Sequence, residues 1–300
     1  MPNIKFHTPV MLREVLDYLD LRPGKIIVDA TLGTAGHAEK ILERILPGGR
    51  LIGIDRDEES LSIARERLNK FGPACELVHG NFADVDMLLE KLKVTKVDGA
   101  LFDLGISSVQ LQDAARGFSF QNEGPLDMRM DKDSYVSAYD LVNNLNEEEL
   151  STLLWNFGEE RWHNRIARLL VRERERQPIT TTLELADIVS KSIPSRYRYR
   201  HYCIHSATRT FQALRIAVNR ELEILEAAVN KTIAILERKA RICVISFHSL
   251  EDRVIKFAFR KAQADGLIDI VTPKPLTPAQ PEVAANPASR SSKLRVAERI

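Results

Sequence analysis

The chain has 300 residues, of which 44% are hydrophobic and 28% are charged. These values are typical of an ordinary globular protein with enough residues for one large domain or two smaller ones. Because no run of about 18 apolar residues occurs, the sequence excludes a transmembrane helix and predicts no membrane partner.

The cysteines and the first residues indicate the compartment. Cys75, Cys203 and Cys243 are widely spaced and form no C-x-x-C pair, which is typical of reduced thiols. The opening residues, MPNIKFHTPV, lack the hydrophobic region of a signal peptide. We therefore expect a cytoplasmic protein.

The first predicted elements form a strand, a glycine turn and a helix. An apolar strand over residues 26–28 ends at Asp29, and a turn with Gly33 and Gly36 leads into a helix that begins at His37. Glycines at this place let a ligand approach the backbone, and the free N–H groups of the helix favour a carboxylate or a phosphate. Asp29 is expected to brace the backbone amides of the turn.

A second predicted strand, over residues 51–54, ends in Asp55. An acid at this position, about 20 residues after the glycine turn, is the usual partner of ribose hydroxyls. The turn reads G-T-A-G rather than the G-x-G-x-x-G of a pyrophosphate site, with Thr31 where the first glycine would fall. The cofactor that this site favours is S-adenosylmethionine, with NAD as the alternative.

Strands and helices alternate through the first hundred residues, which predicts an α/β fold with a doubly wound parallel sheet. In such sheets a ligand binds at the carboxyl ends of the strands, where the strand order reverses. Four polar residues follow predicted strands at those ends: Asp29, Asp55, Asn81 and Asp103. The remaining elements predicted here are a helix over 58–68, a strand over 75–78, a helix over 85–92 and a strand over 97–102.

The alternation stops near residue 112 and resumes only with a strand over 242–247. The pattern between them predicts an irregular loop over 117–130, helices over 146–157, 160–177 and 182–190, and one long helix over 206–237. Asn146, with Glu149 three residues later, is a helix-capping signature. We therefore predict an all-helical domain over 112–219, inserted between parts of the sheet domain over 1–111 and 220–300.

The end of the chain is rich in proline between residues 272 and 292, which predicts a surface loop or extended strap. The last segment, KLRVAE, alternates well enough to be a final edge strand. The segment SFHSLED after the strand over 242–247 is expected to line a target pocket or to cap the next helix, with Ser249 and Asp252 near its start. Ser246 and His248 lack the G-x-S-x-G elbow of a hydrolase.

Charge is concentrated in the predicted insert. From Arg161 to Arg220, thirteen Lys and Arg stand against four Asp and Glu, although the whole chain carries only +1. This segment predicts a face for a polyanion, with a merely solvated arginine-rich helix as the alternative. Within it, arginines that bind phosphate alternate with tyrosines that stack on bases, which favours RNA, or else indicates a half-buried edge strand. These residues are Arg196, Tyr197, Arg198, Tyr199 and Arg200.

Eight blocks of the sequence resemble the MraW/RsmH family over nearly the whole chain: HTPVMLREVL, DATLGTAGH, GIDRD, DLGISSVQLQD, RGFSF, GPLDMRMD, ATRTFQALRI and SFHSLEDR. The resemblance implies a Rossmann-like class I methyltransferase sheet with an inserted helical domain for RNA recognition. It implies transfer of a methyl group from S-adenosylmethionine to the N(4) amino group of a cytidine in small-subunit (16S) ribosomal RNA, free or within the assembled subunit. The family's cofactor contacts fall on Ala35, Gly36, His37, Asp55, Phe82, Asp103 and Gln110.

The turn departs from the family pattern at Ala35, where many members have glycine. A backbone contact survives this exchange if φ of Ala35 is negative. Phe82, next to Asn81, suits the packing of an adenine, although it could be plain core. Asp103 has two interpretations: it holds the cofactor, or it also orients the cytosine amine as a catalytic residue. We expect mainly the first.

Other interpretations remain beside these. Phe118 and Phe120 are expected to pack in the interior, with stacking on a flipped base as the alternative. His201, Cys203 and His205 lack the second pair of ligands of a zinc site, so no metal is predicted. An NAD-dependent oxidoreductase and a non-catalytic RNA-binding protein are the alternative functions.

Overall fold

The computed structural model describes residues 9–194 and 205–300, which divide into two compact units. The sheet unit runs to Ser107 and resumes at Leu222, and the helical unit spans Ser108–Glu221. Within the described ranges, no helix combines the length and apolar character needed to cross a membrane.

The described helices are, in chain order, α1 (Leu12–Tyr18), α2 (Gly36–Ile45), α3 (Glu58–Leu68), α4 (Val85–Lys91), α5 (Ser108–Gln112), α6 (Ala138–Asn144), α7 (Glu147–Gly158), α8 (His163–Arg174), α9 (Thr182–Ser192), α10 (Thr208–Asn219), α11 (Glu221–Ile235), α12 (Ser249–Ala264) and α13 (Gln280–Ala285). The strands are β1 (Ile26–Asp29), β2 (Arg50–Asp55), β3 (Cys75–His79), β4 (Val97–Asp103), β5 (Leu236–Ser246), β6 (Ile268–Ile270) and β7 (Lys293–Arg299).

The strands form one sheet in the order β3-β2-β1-β4-β5-β7-β6. β1 to β5 pair in parallel, and β7 runs antiparallel to both of its neighbours. The chain order reverses between β1 and β4, which is where a doubly wound sheet opens a crevice at its carboxyl edge. The predicted α/β class, with a doubly wound, Rossmann-like sheet, is confirmed.

Alternate strand residues face opposite sides of the sheet, and each side is buried under helices. Phe102 on β4 and its neighbours pack against residues of α4, α11 and α12, whereas Leu101 and its neighbours pack against α1, α2 and α3. Because helices cover both faces, the edge at the strand ends is left for a ligand.

In the helical unit, α7 packs against α8 and α10, and α8 packs against α9. α7 begins with the predicted capping box. The Asn146 side chain accepts from the backbone N–H of Glu149 at 2.9 Å, and the Glu149 carboxylate accepts from the N–H of Asn146 at 2.8 Å. This reciprocal pair satisfies two amides that a helix start leaves without partners.

The loop over residues 117–130 is irregular, as predicted, and is held by buried polar contacts. The Arg116 guanidinium donates to the carbonyls of Arg129 and Met130, and the Asn219 side chain bonds the backbone of Met130 and Met128. The packing interpretation is confirmed for Phe118, while Phe120 is half-buried. Phe118 is buried, and the Phe120 ring contacts the rings of His205 and Phe211, with centroids 4.6 and 4.9 Å apart.

The single long helix predicted over 206–237 is wrong. α10 ends at Asn219, Arg220 adopts a left-handed φ of 51°, and α11 then ends at Ile235, where β5 begins six residues before the predicted strand. A left-handed residue breaks the ladder of helical hydrogen bonds. No glycine or proline marks the place, because the break is held by the bonds of Asn219 and by an ion pair between Arg215 and Glu221 at 2.9 Å.

The end of the chain also differs from expectation. β7 is an internal strand, because the short strand β6, which the sequence did not indicate, pairs along its other side. The proline-rich segment contains more regular secondary structure than the predicted loop or strap. It contains α13 and a short 3₁₀ helix over Pro287–Ser291, and its Ser289 is fully buried.

Candidate functional site

Three aspartates close neighbouring strands of the sheet at one edge. Asp29 ends β1, Asp55 ends β2 and Asp103 ends β4. Asn81 follows β3, where its side chain accepts from the N–H of Ala83 and starts a turn of 3₁₀ helix. Topology therefore brings these predicted residues to the same edge of the sheet.

Asp55 binds the glycine turn directly. Its Oδ2 accepts from the N–H of Gly33 at 2.7 Å, and its Oδ1 accepts from the N–H of Asp57 at 2.9 Å. Burial raises the pKa of Asp55, although the two backbone N–H groups oppose that shift. Each carboxylate oxygen keeps a further lone pair, so ribose hydroxyls can add to these bonds.

The glycine turn enters α2 through Ala35, which has φ 62° and is completely buried. The condition of a negative φ is therefore not met, and the alanine adopts the left-handed conformation for which glycine is the ordinary residue. The next residue, Gly36, lets the ring of Pro9 pack closely against the backbone, since a Cβ on Gly36 would lie 2.7 Å from that ring.

His37, the second residue of α2, is buried and links two other segments. Its Nε2 lies 3.0 Å from the carbonyl of Val10, and its Nδ1 lies 3.4 Å from Oδ2 of Asp103. Because a carbonyl only accepts, Nε2 carries a proton. Burial opposes the charged imidazolium, but the hydrogen bond and the charge of Asp103 outweigh it, so the pKa of His37 is raised.

Asp103 keeps one buried oxygen without a partner. Its backbone N–H donates to Oγ1 of Thr31 at 2.5 Å and its Oδ2 faces His37, but its Oδ1 is buried with no hydrogen-bond partner. A buried acceptor without a donor is costly in a protein interior. Asp103 therefore offers a place for an N–H or O–H group of a ligand.

Asp29 lies under this edge and braces the turn, as predicted, with Oδ1 accepting from the N–H of Thr31 at 3.3 Å. It is almost fully buried. Burial raises the pKa of Asp29 to about 7, against a partial opposing effect of the positive charge on His37. The carboxyl group is thus poised to be neutral in the folded protein below that pH.

The titration of Asp29 gives a testable pH dependence. Between the ordinary pKa of 3.8 and about 7, the folded state binds a proton that the unfolded state has lost. The free energy of unfolding should then fall as pH rises, by about 1.4 kcal/mol per unit from this group. Asp29→Asn mimics the neutral form, so urea unfolding of both proteins at several pH values should give profiles that converge at low pH. Parallel profiles would contradict the assignment.

The remaining predicted cofactor residues are Phe82 and Gln110. Phe82 starts the turn after β3 and is half-buried, with its ring edge-to-face on Phe102 at 5.7 Å between centroids. The N–H of Gly80 donates to the carbonyl of Asp55 at 2.9 Å, which ties this turn to the end of β2. Gln110 is buried on α5, in the helical unit.

The segment after β5 caps a helix, as one of the two interpretations expected, but through a different residue. The N-cap of α12 is His248, whose Nδ1 accepts from the N–H of Glu251 at 3.3 Å, and Ser249 is the first helical residue. Asp252 pairs with Arg295 at 2.7 Å. The five residues predicted to bind RNA, from Arg196 to Arg200, lie outside the described residues, as do His201 and Cys203.

Sequence reasoning missed the part that Thr31, Val10 and Met11 play in bracing the site. Thr31 supplies the hydroxyl that accepts from Asp103, and Val10 supplies the carbonyl that accepts from His37. The next residue after Val10, Met11, donates its N–H to Oε1 of Glu282 on α13 at 2.7 Å. Of these, only Thr31 could have been found from the local sequence, because it lies in the glycine turn itself.

A family model and the curated relatives identify one family. Residues 4–300 match the model described as the MraW methylase family. The chain is 45% identical over 309 residues to the "Ribosomal RNA small subunit methyltransferase H" of Halothermothrix orenii, with 98% of both chains covered. It is 49% identical over 300 residues to the protein of that name from Thermotoga neapolitana, with 98% and 96% covered. An rRNA methylase structure from Streptococcus thermophilus aligns with a TM-score of 0.45 at 11% identity, covering 96% and 95%.

Proposed function

The chain belongs to the MraW methylase family, and on that premise we propose that it transfers a methyl group from S-adenosylmethionine to the N(4) amino group of a cytidine in 16S ribosomal RNA. The observation that carries the proposal is that Asp55 and Asp103 end β2 and β4, the two strands on either side of β1, at the same edge of the sheet. Relatives named as small-subunit rRNA methyltransferases support the substrate. The cytoplasm, where ribosomal RNA is found, is the proposed compartment.

The donor set at this edge fits the cofactor. Ribose hydroxyls are donors that suit the Asp55 carboxylate. The ammonium group of a bound amino acid suits the unpartnered Oδ1 of Asp103. The half-buried ring of Phe82 offers an apolar surface for the adenine. Gly36 and His37 are proposed to contribute through the start of α2, and Gln110 from α5. For Ala35, whose φ is positive, we propose only that it sets the course of the backbone into α2.

When bound, S-adenosylmethionine supplies an electrophilic methyl group on a sulfonium that leaves readily. The protein then needs mainly to align the acceptor nitrogen with that methyl and to exclude water. Asp103 is proposed to orient a bound N–H group through Oδ1, while His37 fixes the rotamer of the carboxylate through Oδ2. We propose that the helical unit recognises the RNA, with the residues from Arg196 to Arg200 contributing contacts.

The proposed reaction is tested by nucleoside mass analysis. The purified protein is incubated with isotope-labelled S-adenosylmethionine and either free 16S rRNA or small subunits from cells that lack this activity. We expect one labelled N(4)-methylcytidine per molecule. Label on another base, or on no base with both substrates, would refute the proposal, and the comparison of the two substrates identifies the preferred one.

Asp55→Ala is expected to weaken binding of S-adenosylmethionine by about 1–3 kcal/mol, because ribose hydroxyls lose a charge-assisted partner. The change also removes the acceptor of the Gly33 N–H. Asp55→Asn is the matched control, since it keeps one side-chain oxygen for an N–H and should lose less. Isothermal titration calorimetry measures both, and an unchanged affinity in the alanine variant would rule out the ribose contact.

A further inference from the structure

The two tryptophans of the chain lie close together in sequence, at the connection between α7 and α8. Trp155, on the last turns of α7, has 56% of its surface exposed. Trp162, the residue before α8, is half-buried. Among surface residues, tryptophan is enriched where other molecules bind.

Exposed arginines lie beside the ring of Trp162, and the ring of Trp155 contacts His163, with centroids 5.1 Å apart. The guanidinium groups of Arg161 and Arg165 lie 5.3 and 5.8 Å from the centroid of the Trp162 ring. Arg209, at the start of α10, is exposed and donates to the carbonyl of Glu159 at 3.0 Å. This bond places Arg209 beside the connection between α7 and α8. We name this surface the Trp–Arg corner: Trp155, Arg161, Trp162, Arg165 and Arg209.

The acids near the corner do not balance its charge. Glu160 is buried, and its carboxylate accepts from the N–H of Trp162 at 2.8 Å, which fixes the start of α8. Glu159 is exposed. Three exposed cations therefore stand against one exposed acid, which gives a surface that is complementary to a polyanion.

We propose that the Trp–Arg corner binds a single-stranded segment of ribosomal RNA, with a base stacked on Trp155 and phosphates held by the arginines. This inference rests on the proposed function, and it concerns residues of the helical unit other than those between 196 and 200. Stacking on an exposed aromatic ring together with phosphate contacts from arginine is the usual way in which proteins hold unpaired RNA. The contact between the rings of Trp155 and His163 restricts the rotation of Trp155, which lowers the entropic cost of stacking a base on it.

The position of the tryptophans allows a direct test, because all tryptophan fluorescence of this protein comes from the corner. Titration with a single-stranded RNA oligonucleotide of mixed sequence should quench the emission of the full chain. Trp155→Ala should weaken binding by about five- to a hundredfold, as removal of one stacking platform does. The double change Arg161→Ala with Arg165→Ala should weaken it too, and should lower the salt slope by about 0.7 for each phosphate that is no longer neutralised.

The sheet unit offers a matched control. Phe257 on α12 is also 56% exposed, and Nζ of Lys256 lies 5.8 Å from its ring centroid. Phe257→Ala with Lys256→Ala removes the same kinds of group elsewhere and should leave RNA affinity unchanged. If the control and the corner variants lose affinity equally, the corner is not a specific site.

The outcomes separate this inference from the proposed function. Corner variants that bind RNA and methylate it like the wild type would overturn the inference, while methylation itself would stand. Variants that fail only on assembled subunits, with full activity on free RNA, would assign the corner to a protein partner and overturn it as well. A wild-type protein that is quenched by RNA but methylates neither substrate would refute the proposed function alone.

Discussion

Replacing Asp103 with asparagine is expected to weaken binding of S-adenosylmethionine by about 2–4 kcal/mol, or about thirty- to a thousandfold. The change removes the negative charge that faces Nδ1 of His37 at 3.4 Å. It also replaces one carboxylate oxygen, either the unpartnered Oδ1 or Oδ2, with an amide group that donates instead of accepting. Turnover should be largely restored when the cofactor is saturating. Calorimetry and single-turnover methylation measure the two quantities separately.

A second readout of the same variant reports on His37. The pKa of His37 is raised through Asp103, so it should fall in Asp103→Asn, which NMR titration of the imidazole can follow. A fall in this pKa with normal cofactor affinity and collapsed single-turnover methylation would contradict the binding role. It would show that Asp103 acts on the cytosine amine in the transition state.

Gly117→Ala is expected to destabilise the helical unit by about 3 kcal/mol or more. Gly117 has φ 69°, and a Cβ there would lie 2.1 Å from the carbonyl oxygen of Pro125 and 2.9 Å from the nitrogen of Asp127. Both neighbours are backbone atoms, so neither can turn aside as a flexible side chain does. Thermal unfolding followed by tryptophan fluorescence reads this unit directly, because both tryptophans belong to it.

Gly266→Ala is the matched control. Gly266 has the same φ of 69°, but nothing lies within 4 Å of the position that its Cβ would take. It should therefore cost only the strain of a left-handed alanine, about 1–2 kcal/mol, measured by calorimetry. Equal losses of stability in the two variants would mean that the close approach at Gly117 contributes nothing.

The sequence was sufficient to predict the strand ends and what they carry. Asp29, Asp55 and Asp103 follow apolar runs in an alternating pattern, and parallel topology alone then brings them to one edge. The capping box at Asn146 could also be predicted from the sequence, because its two residues interact within one turn of helix. Each of these predictions depends on interactions that are local or are fixed by the sheet.

The features that could not be predicted depend on distant residues. The break at Arg220 is held by Asn219, which bonds a loop about 90 residues earlier in the chain. The left-handed φ of Ala35 arises where Pro9 packs on the next residue. β6 has only three residues and is a strand because β7 pairs with it. No periodic pattern in a single segment encodes interactions of this kind.

The hydrogen bond from Met11 to Glu282 joins residues 271 positions apart. Translation makes the glycine turn, Asp55 and Asp103 long before it makes Glu282. Until that glutamate exists, the segment that holds the Val10 carbonyl against His37 lacks this anchor. A nascent chain, or one terminated before Glu282, therefore carries the glycine turn, Asp55 and Asp103 without this brace.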